Sequence, residues 1–158
     1  MERDRAYAVA FAHEVRRFYP FAPFLGGLAS RDAEFHGVRI PEGTMVILDL
    51  YGHNHDPEIF PEPYSFDPTR FLDRHIGAYE LIPQGAGDPR TGHRCPGEDV
   101  VVAVLSAIAQ KLAAARYEVP EQDLEIPLDR IPTTPRSRFT LVAGEAASSV
   151  PDQRVATR

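Results

Sequence analysis

The sequence predicts an α+β fold: two main helices, a small sheet after the first helix, and a long ordered meander leading to the second. Two amphipathic stretches free of internal breakers read as the helices, and short apolar runs between glycine turns read as the strands. The third observation is proline usage. The 158 residues contain 15 prolines, ten of them between Pro20 and Pro96, about twice the usual ~5%. Proline fixes φ and donates no hydrogen bond, so this middle portion cannot be a regular helix or a central strand.

In chain order, Ala8, Phe11, Ala12, Val15 and Tyr19 recur at helical spacing, and Pro20 ends the run. This predicts a helix over Ala6 to Phe18. Phe24 to Ala29, Glu34 to Ile40 with a turn at Gly37, and Thr44 to Leu50 after Pro41-Glu42-Gly43 read as short strands. Gly52 to Arg94 is rich in Pro, Gly, His, Asn and Asp and sustains neither period. A connection of this length needs a functional reason. Pro96 to Ala115 reads as the second helix, with Val101, Leu105, Ile108 and Leu112 as a buried stripe. Tyr117 to Val119 and Ser137 to Val142 are strand candidates. The expected organisation is one unit over residues 1–143 and a frayed polar tail over 144–158.

Composition narrows the function. Seventeen Lys plus Arg against 23 Asp plus Glu give a net charge of -6, which disfavours nucleic acid and anionic membranes as partners. The longest apolar run, Val100 to Ala109 broken by Ser106, is about half the ~20 residues of a membrane span. Cys95 is the single cysteine, so a disulfide within the chain and CxxC chemistry are excluded. The start, Met1-Glu2-Arg3-Asp4-Arg5, has no apolar core of a secretory signal. These features predict a cytoplasmic protein.

Cys95 is followed by Pro-Gly-Glu at a predicted helix start. Proline is favoured at the first helical position, so the free N–H groups of that turn should point at the sulfur. Those donors and the positive end of the helix would stabilise a thiolate and make it a metal ligand, with His93 and Arg94 on the other side. A lone cysteine is more often inert and buried. Here the glycine-rich loop before it and the helix after it favour a ligand. Glu14 and Arg17 stand at i, i+3, a pair that alone would be worth only ~0.3 to 0.5 kcal/mol. Arg70, in Pro68-Thr69-Arg70-Phe71, supplies a second guanidinium that could pin the meander to the helix.

Taken in order, Glu14-x-x-Arg17, Pro68-x-Arg70-Phe71 and His93-Arg94-Cys95-Pro96-Gly97-Glu98 resemble the cytochrome P-450 superfamily, over about Ala8 to Val142. Within it the sequence is most similar to the bacterial fatty-acid peroxygenases. That likeness rests on Glu14-Val15-Arg16-Arg17-Phe18-Tyr19-Pro20-Phe21, on Asp49 to Pro57, and on Ile82-Pro83-Gln84-Gly85-Ala86-Gly87 leading to Cys95. The ordinary monooxygenase loop has Phe and Gly where this chain has Asp88 and Thr91, a departure that suits the longer peroxygenase loop.

The resemblance implies the C-terminal part of a mainly helical fold that holds haem b, its iron bound by the Cys95 thiolate. It implies a structural triad of Glu14, Arg17 and Arg70, and Phe21 lining the substrate pocket. Gln84, His93 and Gly97 would contact the cofactor. The arginine that commonly binds a haem propionate is replaced by Gly27, which leaves His93 as the local candidate. The family substrates are a fatty acid and hydrogen peroxide. The helix whose arginine binds the substrate carboxylate has no counterpart in this sequence, so no catalytic residue is assigned and the chain alone should be weak or inactive. A missing N-terminal half of the same domain would be the partner that completes the pocket.

Two alternatives stand beside this reading: a catalytically silent truncated product, and a fragment of an ordinary P-450 monooxygenase. His53-Asn54-His55 also invites a nuclease reading, but neighbouring histidines on an extended segment alternate faces. A hydrogen-bonded turn before Asp56-Pro57 is expected instead. No His-x3-His lies on a predicted helix, which disfavours a zinc site.

Overall fold

Helix α1, Glu2–Phe18, starts a turn earlier than expected, because Glu2 to Arg5 lack apolar periodicity yet contain no breaker. The structure, a computed structural model, describes residues 2–144; the tail expected over 144–158 lies outside the described residues from 145 onward. Arg16 and Arg17 fall in the last turn of α1, where positive charge complements the helix dipole. Ala8, Ala10 and Ala12 are buried. Ala10 packs into the core under the meander, while the small Ala8 lies where the second long helix, α3 (Glu98–Ala114), crosses. The buried Ser106 hydroxyl of α3 reaches the Ala8 carbonyl at 3.2 Å while also bonding its own turn at Val102, 2.7 Å.

The stripe expected to be buried on α3 is a correction. Val101 and Leu105 are half-buried, but Ile108 is 48% exposed and Leu112 36%. The face turned to α1 instead carries Ser106. The reason is that α3 is apolar nearly all round, from Val100 to Leu112, so a 3.6-residue period fits more than one face. Its start is also corrected, from Pro96 to Glu98, with Gly97 as N-cap.

The predicted small sheet is two separate two-stranded sheets. Strands β1 (Phe24–Leu28) and β4 (Met45–Asp49) pair antiparallel, and β2 (Ala33–Phe35) pairs with β3 (Val38–Ile40). Positive φ at His36 and Gly37, 49° and 79°, makes the two-residue turn between β2 and β3 the type that matches strand twist. The chain then forms a one-turn helix, α2 (Leu50–Asn54), capped by the Asp49 carboxylate on the Gly52 N–H at 2.7 Å. It continues through a 3-10 turn, Pro68–Phe71, that packs on α1. Both interrupt a meander expected to be without helical turns. Strands β5 (Tyr117–Glu118) and β6 (Val142–Ala143) pair, while the strand expected from Ser137 does not form there, since Arg138 and Phe139 have positive φ.

The core lies between α1 and the meander. Ala10, Phe60, Phe71 and Leu81 are buried together, flanked by Ile59, Leu72 and Ile76. Burying a side chain such as Phe60 or Leu81, both fully covered, contributes about 1.5–3 kcal/mol. This small core fixes the meander on α1 and so sets where the segment leading to Cys95 begins. Among the described residues, no helix is long and apolar enough to cross a membrane.

Candidate functional site

Glu14 sits at the centre of the proximal scaffold. Its side chain is fully buried, as is that of Arg17. Arg17 Nε donates to Glu14 Oε2 and Nη2 to Oε1, both at 2.7 Å. The remaining Arg17 donors reach the carbonyls of Asn54 at 3.0 Å, Pro63 at 2.8 Å and Ser65 at 3.2 Å. All five N–H groups of the guanidinium are therefore matched. Arg70 Nε approaches the same carboxylate at 3.4 Å, and the Asp67 N–H donates to Oε1 at 2.8 Å. The three residues expected to converge do so, and Arg17 knits three separate points of the meander to α1.

Cys95 is half-buried with a free thiol. Its N–H donates to the Gln84 carbonyl at 2.9 Å, and its carbonyl accepts the Glu98 N–H at 3.3 Å. A turn thus precedes α3, and the sulfur stands before the N-cap Gly97 rather than before a helical Pro96. A Cβ on Gly97 would meet the sulfur at 3.7 Å, an ordinary van der Waals contact, so glycine keeps side-chain bulk away from the thiol here without being required for clearance. Gly85 has a stronger reason to be glycine: its φ is +91°, and a Cβ there would come within 2.0 Å of the His93 carbonyl oxygen. This close backbone crossing folds residues 84–95 into the loop that presents Cys95. Among the described residues no cluster of three His, Cys, Asp or Glu side chains could hold a metal ion. A single open thiol instead suits a prosthetic group that supplies the other ligands itself, so the donor set fits haem.

The other expected site residues are placed as follows. Gln84 is half-buried and turns its amide oxygen to Arg16, 3.0 Å from Nε. The His93 side chain is exposed, with its backbone carbonyl against Gly85. Phe21 is 70% exposed in the connection after α1, where its carbonyl accepts the Thr133 N–H at 3.0 Å.

A second ion-pair set was not anticipated from the sequence. Glu98 receives Arg94 Nε on Oε2 at 2.6 Å and Arg94 Nη2 on Oε1 at 2.8 Å, while Arg16 Nη2 donates to Oε1 at 2.6 Å. Burial pushes the Glu98 carboxyl up, but the hydrogen bonds from Arg94 and Arg16 more than offset this and hold its pKa below the usual range. Burial, reinforced by Arg16, brings His13 down to about 4. Arg16 Nη1 lies 3.1 Å from His13 Nδ1, a contact that needs the lone pair of neutral imidazole. The i, i+4 spacing of Arg94 and Glu98 was the available signal; the long-range partner Arg16 was not.

His53, Asn54 and His55 lie on α2 and its C-cap, not on an extended segment. His53 Nε2 meets the carbonyls of Tyr79 and Glu80 at 3.0 and 3.1 Å. Asn54 Oδ1 accepts the Ile82 N–H at 3.0 Å, and His55 Nδ1 lies 2.9 Å from the Tyr51 carbonyl. His55 closes the turn expected before Asp56-Pro57, whereas His53 and Asn54 instead tie α2 to the distant segment Tyr79 to Ile82.

The family model described as Cytochrome P-450 matches residues 3–119. The chain belongs to the cytochrome P-450 family. A relative from Drosophila mettleri, "Cytochrome P450 4e5, mitochondrial", is 32% identical over 117 residues, covering 74% of this chain and 22% of the relative. The solved structure of cytochrome P-450SP alpha (CYP152B1) with (R)-ibuprophen is 47% identical and superposes with a TM-score of 0.77, over 86% of this chain and 34% of that one. A variant of cytochrome P-450 OleT in complex with arachidonic acid is 45% identical, with a TM-score of 0.75, over 86% of this chain and 32% of that one. This P-450 chain thus spans about a third of the solved relatives it matches, and its helices and two-stranded sheets are part of the P-450 fold.

Proposed function

We propose that the chain supplies the thiolate side of a haem-thiolate oxidoreductase of the fatty-acid peroxygenase type. The observation that carries this is Cys95: an open thiol beside Gly97, at the end of a loop that Gly85 forces into a close backbone crossing. In this reading Cys95 ligates the iron of haem b, Gly97 leaves room for the ring, and exposed His93 reaches a propionate. When bound, haem supplies oxidation in which one peroxide oxygen enters a C–H bond and the other leaves as water. The chain's own residues position the ligand. Glu14, Arg17 and Arg70 fix the meander behind it, and the half-buried setting limits water at the sulfur. Phe21, exposed after α1, offers an apolar ring to a fatty-acid pocket completed by the remainder of a P-450 domain. A ligand thiol that must stay reduced suits the cytoplasm.

Support for the peroxygenase type comes from the loop, where Asp88 and Thr91 stand in place of the monooxygenase Phe and Gly, and from the 47% identity to cytochrome P-450SP alpha. The test is a chimera in which residues 2–144 replace the matching part of that relative. Peroxide-driven oxidation of a fatty acid is expected. A chimera that retains the thiolate spectrum yet oxidises only with a reductase would favour an ordinary monooxygenase, and one without the thiolate spectrum would refute both.

A further inference from the structure

Cys95 is held at both ends of its backbone, and one side chain reaches both holders. The Cys95 N–H is bound by the Gln84 carbonyl at 2.9 Å, and the Cys95 carbonyl by the Glu98 N–H at 3.3 Å. Arg16, its side chain only 4% exposed, donates from Nε to Gln84 Oε1 at 3.0 Å and from Nη2 to Glu98 Oε1 at 2.6 Å. We propose that Arg16 is a positioning residue for the Cys95 thiolate, clamping through Gln84 and Glu98 the two residues between which the ligand backbone is strung. The proposal rests on the haem-thiolate reading of Cys95 and adds to it a residue outside the Glu14 triad.

The chemistry favours arginine here. Its planar guanidinium presents donors along separate directions from one rigid group, so it can bridge an amide and a carboxylate that belong to different segments. Lysine has the charge but no fixed fork. Arg94 strengthens the same clamp: it grips Glu98 through two nitrogens and also donates from Nη1 to the Ala78 carbonyl at 3.0 Å. The charge-assisted bonds at Glu98 are short, as expected for ionised partners. Groups that orient a metal ligand without touching the metal typically change affinity or activity about 10–100-fold when removed.

The full 158-residue chain is titrated with haem, and the wild type is compared with Arg16→Leu, Arg16→Lys and Gln84→Leu. The proposal predicts haem binding about 10–100-fold weaker in Arg16→Leu. In the haem that does bind, the red-shifted ferrous carbon monoxide band of thiolate ligation should give way to the band of non-thiolate haem. Arg16→Lys should restore only part of that band. Gln84→Leu, at a half-buried position, carries the same prediction should Arg16→Leu fail to fold. In haem-free protein, hydrogen exchange at the Cys95 amide should speed up in both Leu variants. Variants that melt lower but keep wild-type haem affinity and an unchanged thiolate band would overturn the positioning role and leave the Cys95 reading intact. Absence of the thiolate band in the wild type would remove both.

Discussion

The fully buried Glu14 carboxylate is surrounded by donors: Arg17, Arg70 and the Asp67 N–H all reach it. Glu14→Ala would leave the buried Arg17 guanidinium without its counter-charge. Loss of about 3–5 kcal/mol is expected, the scale for breaking a buried pair, and denaturant unfolding measures it. An unchanged midpoint would remove the triad as a structural anchor. His13 makes a pH prediction. Burial and then Arg16 lower its pKa from 6.5 to about 4, and Arg94 acts in the same direction, while Glu98 and Asp99 oppose them. The unfolded chain therefore takes up this proton first, so stability falls as pH drops from about 6.5 toward 4. Glu98, whose folded value is also depressed, extends the loss below its ordinary 4.5. His13→Gln should flatten the dependence of Tm on pH between 6.5 and 4; an equally steep profile would show that other groups set it.

Among the elements, α1 was legible because apolar residues recur at helical spacing with no breaker before Pro20, and the hairpin at Gly37 because glycine there allows the positive φ such a turn needs. Helix α3 was legible as a helix but not in its orientation. Val100 to Leu112 offer apolar side chains on several faces, and only the partner helix decides which is covered. Its consequence can be measured. Ile108→Lys should change stability by no more than about 0.5 kcal/mol, as for an exposed position, whereas Ala12→Leu, at a fully buried site of α1, should cost about 1–3 kcal/mol through overpacking. The reverse order would mean that α3 packs by the stripe expected from periodicity. The site divides along the same line. Glu14, Arg17, Arg70 and Cys95 were readable from ordered motifs, but the bond from Arg16 to Glu98 joins residues 82 positions apart, and no local pattern encodes it.

For the molecule as a whole, the small core of Ala10, Phe60, Phe71 and Leu81 contrasts with the apolar surface left uncovered on β1, β4 and α3, where Leu28, Met45, Ile47 and Val100 are 59–66% exposed. Such a surface is expected where a fold continues or a partner docks, and the chain matches about a third of its solved relatives' length. What those residues enclose cannot be written in a periodicity that only counts apolar positions. The proposed site at Cys95 depends less on them, since the hydrogen bonds that hold its loop, to Arg16, Gln84 and Glu98, lie within residues 16–98. The most direct measurement is the ferrous carbon monoxide spectrum of the haem-loaded chain and of Cys95→Ser. A strongly red-shifted band in the wild type, lost in Cys95→Ser because an alcohol stays protonated where a thiolate forms, is the predicted result; haem uptake and a spectrum indifferent to Cys95→Ser would contradict it.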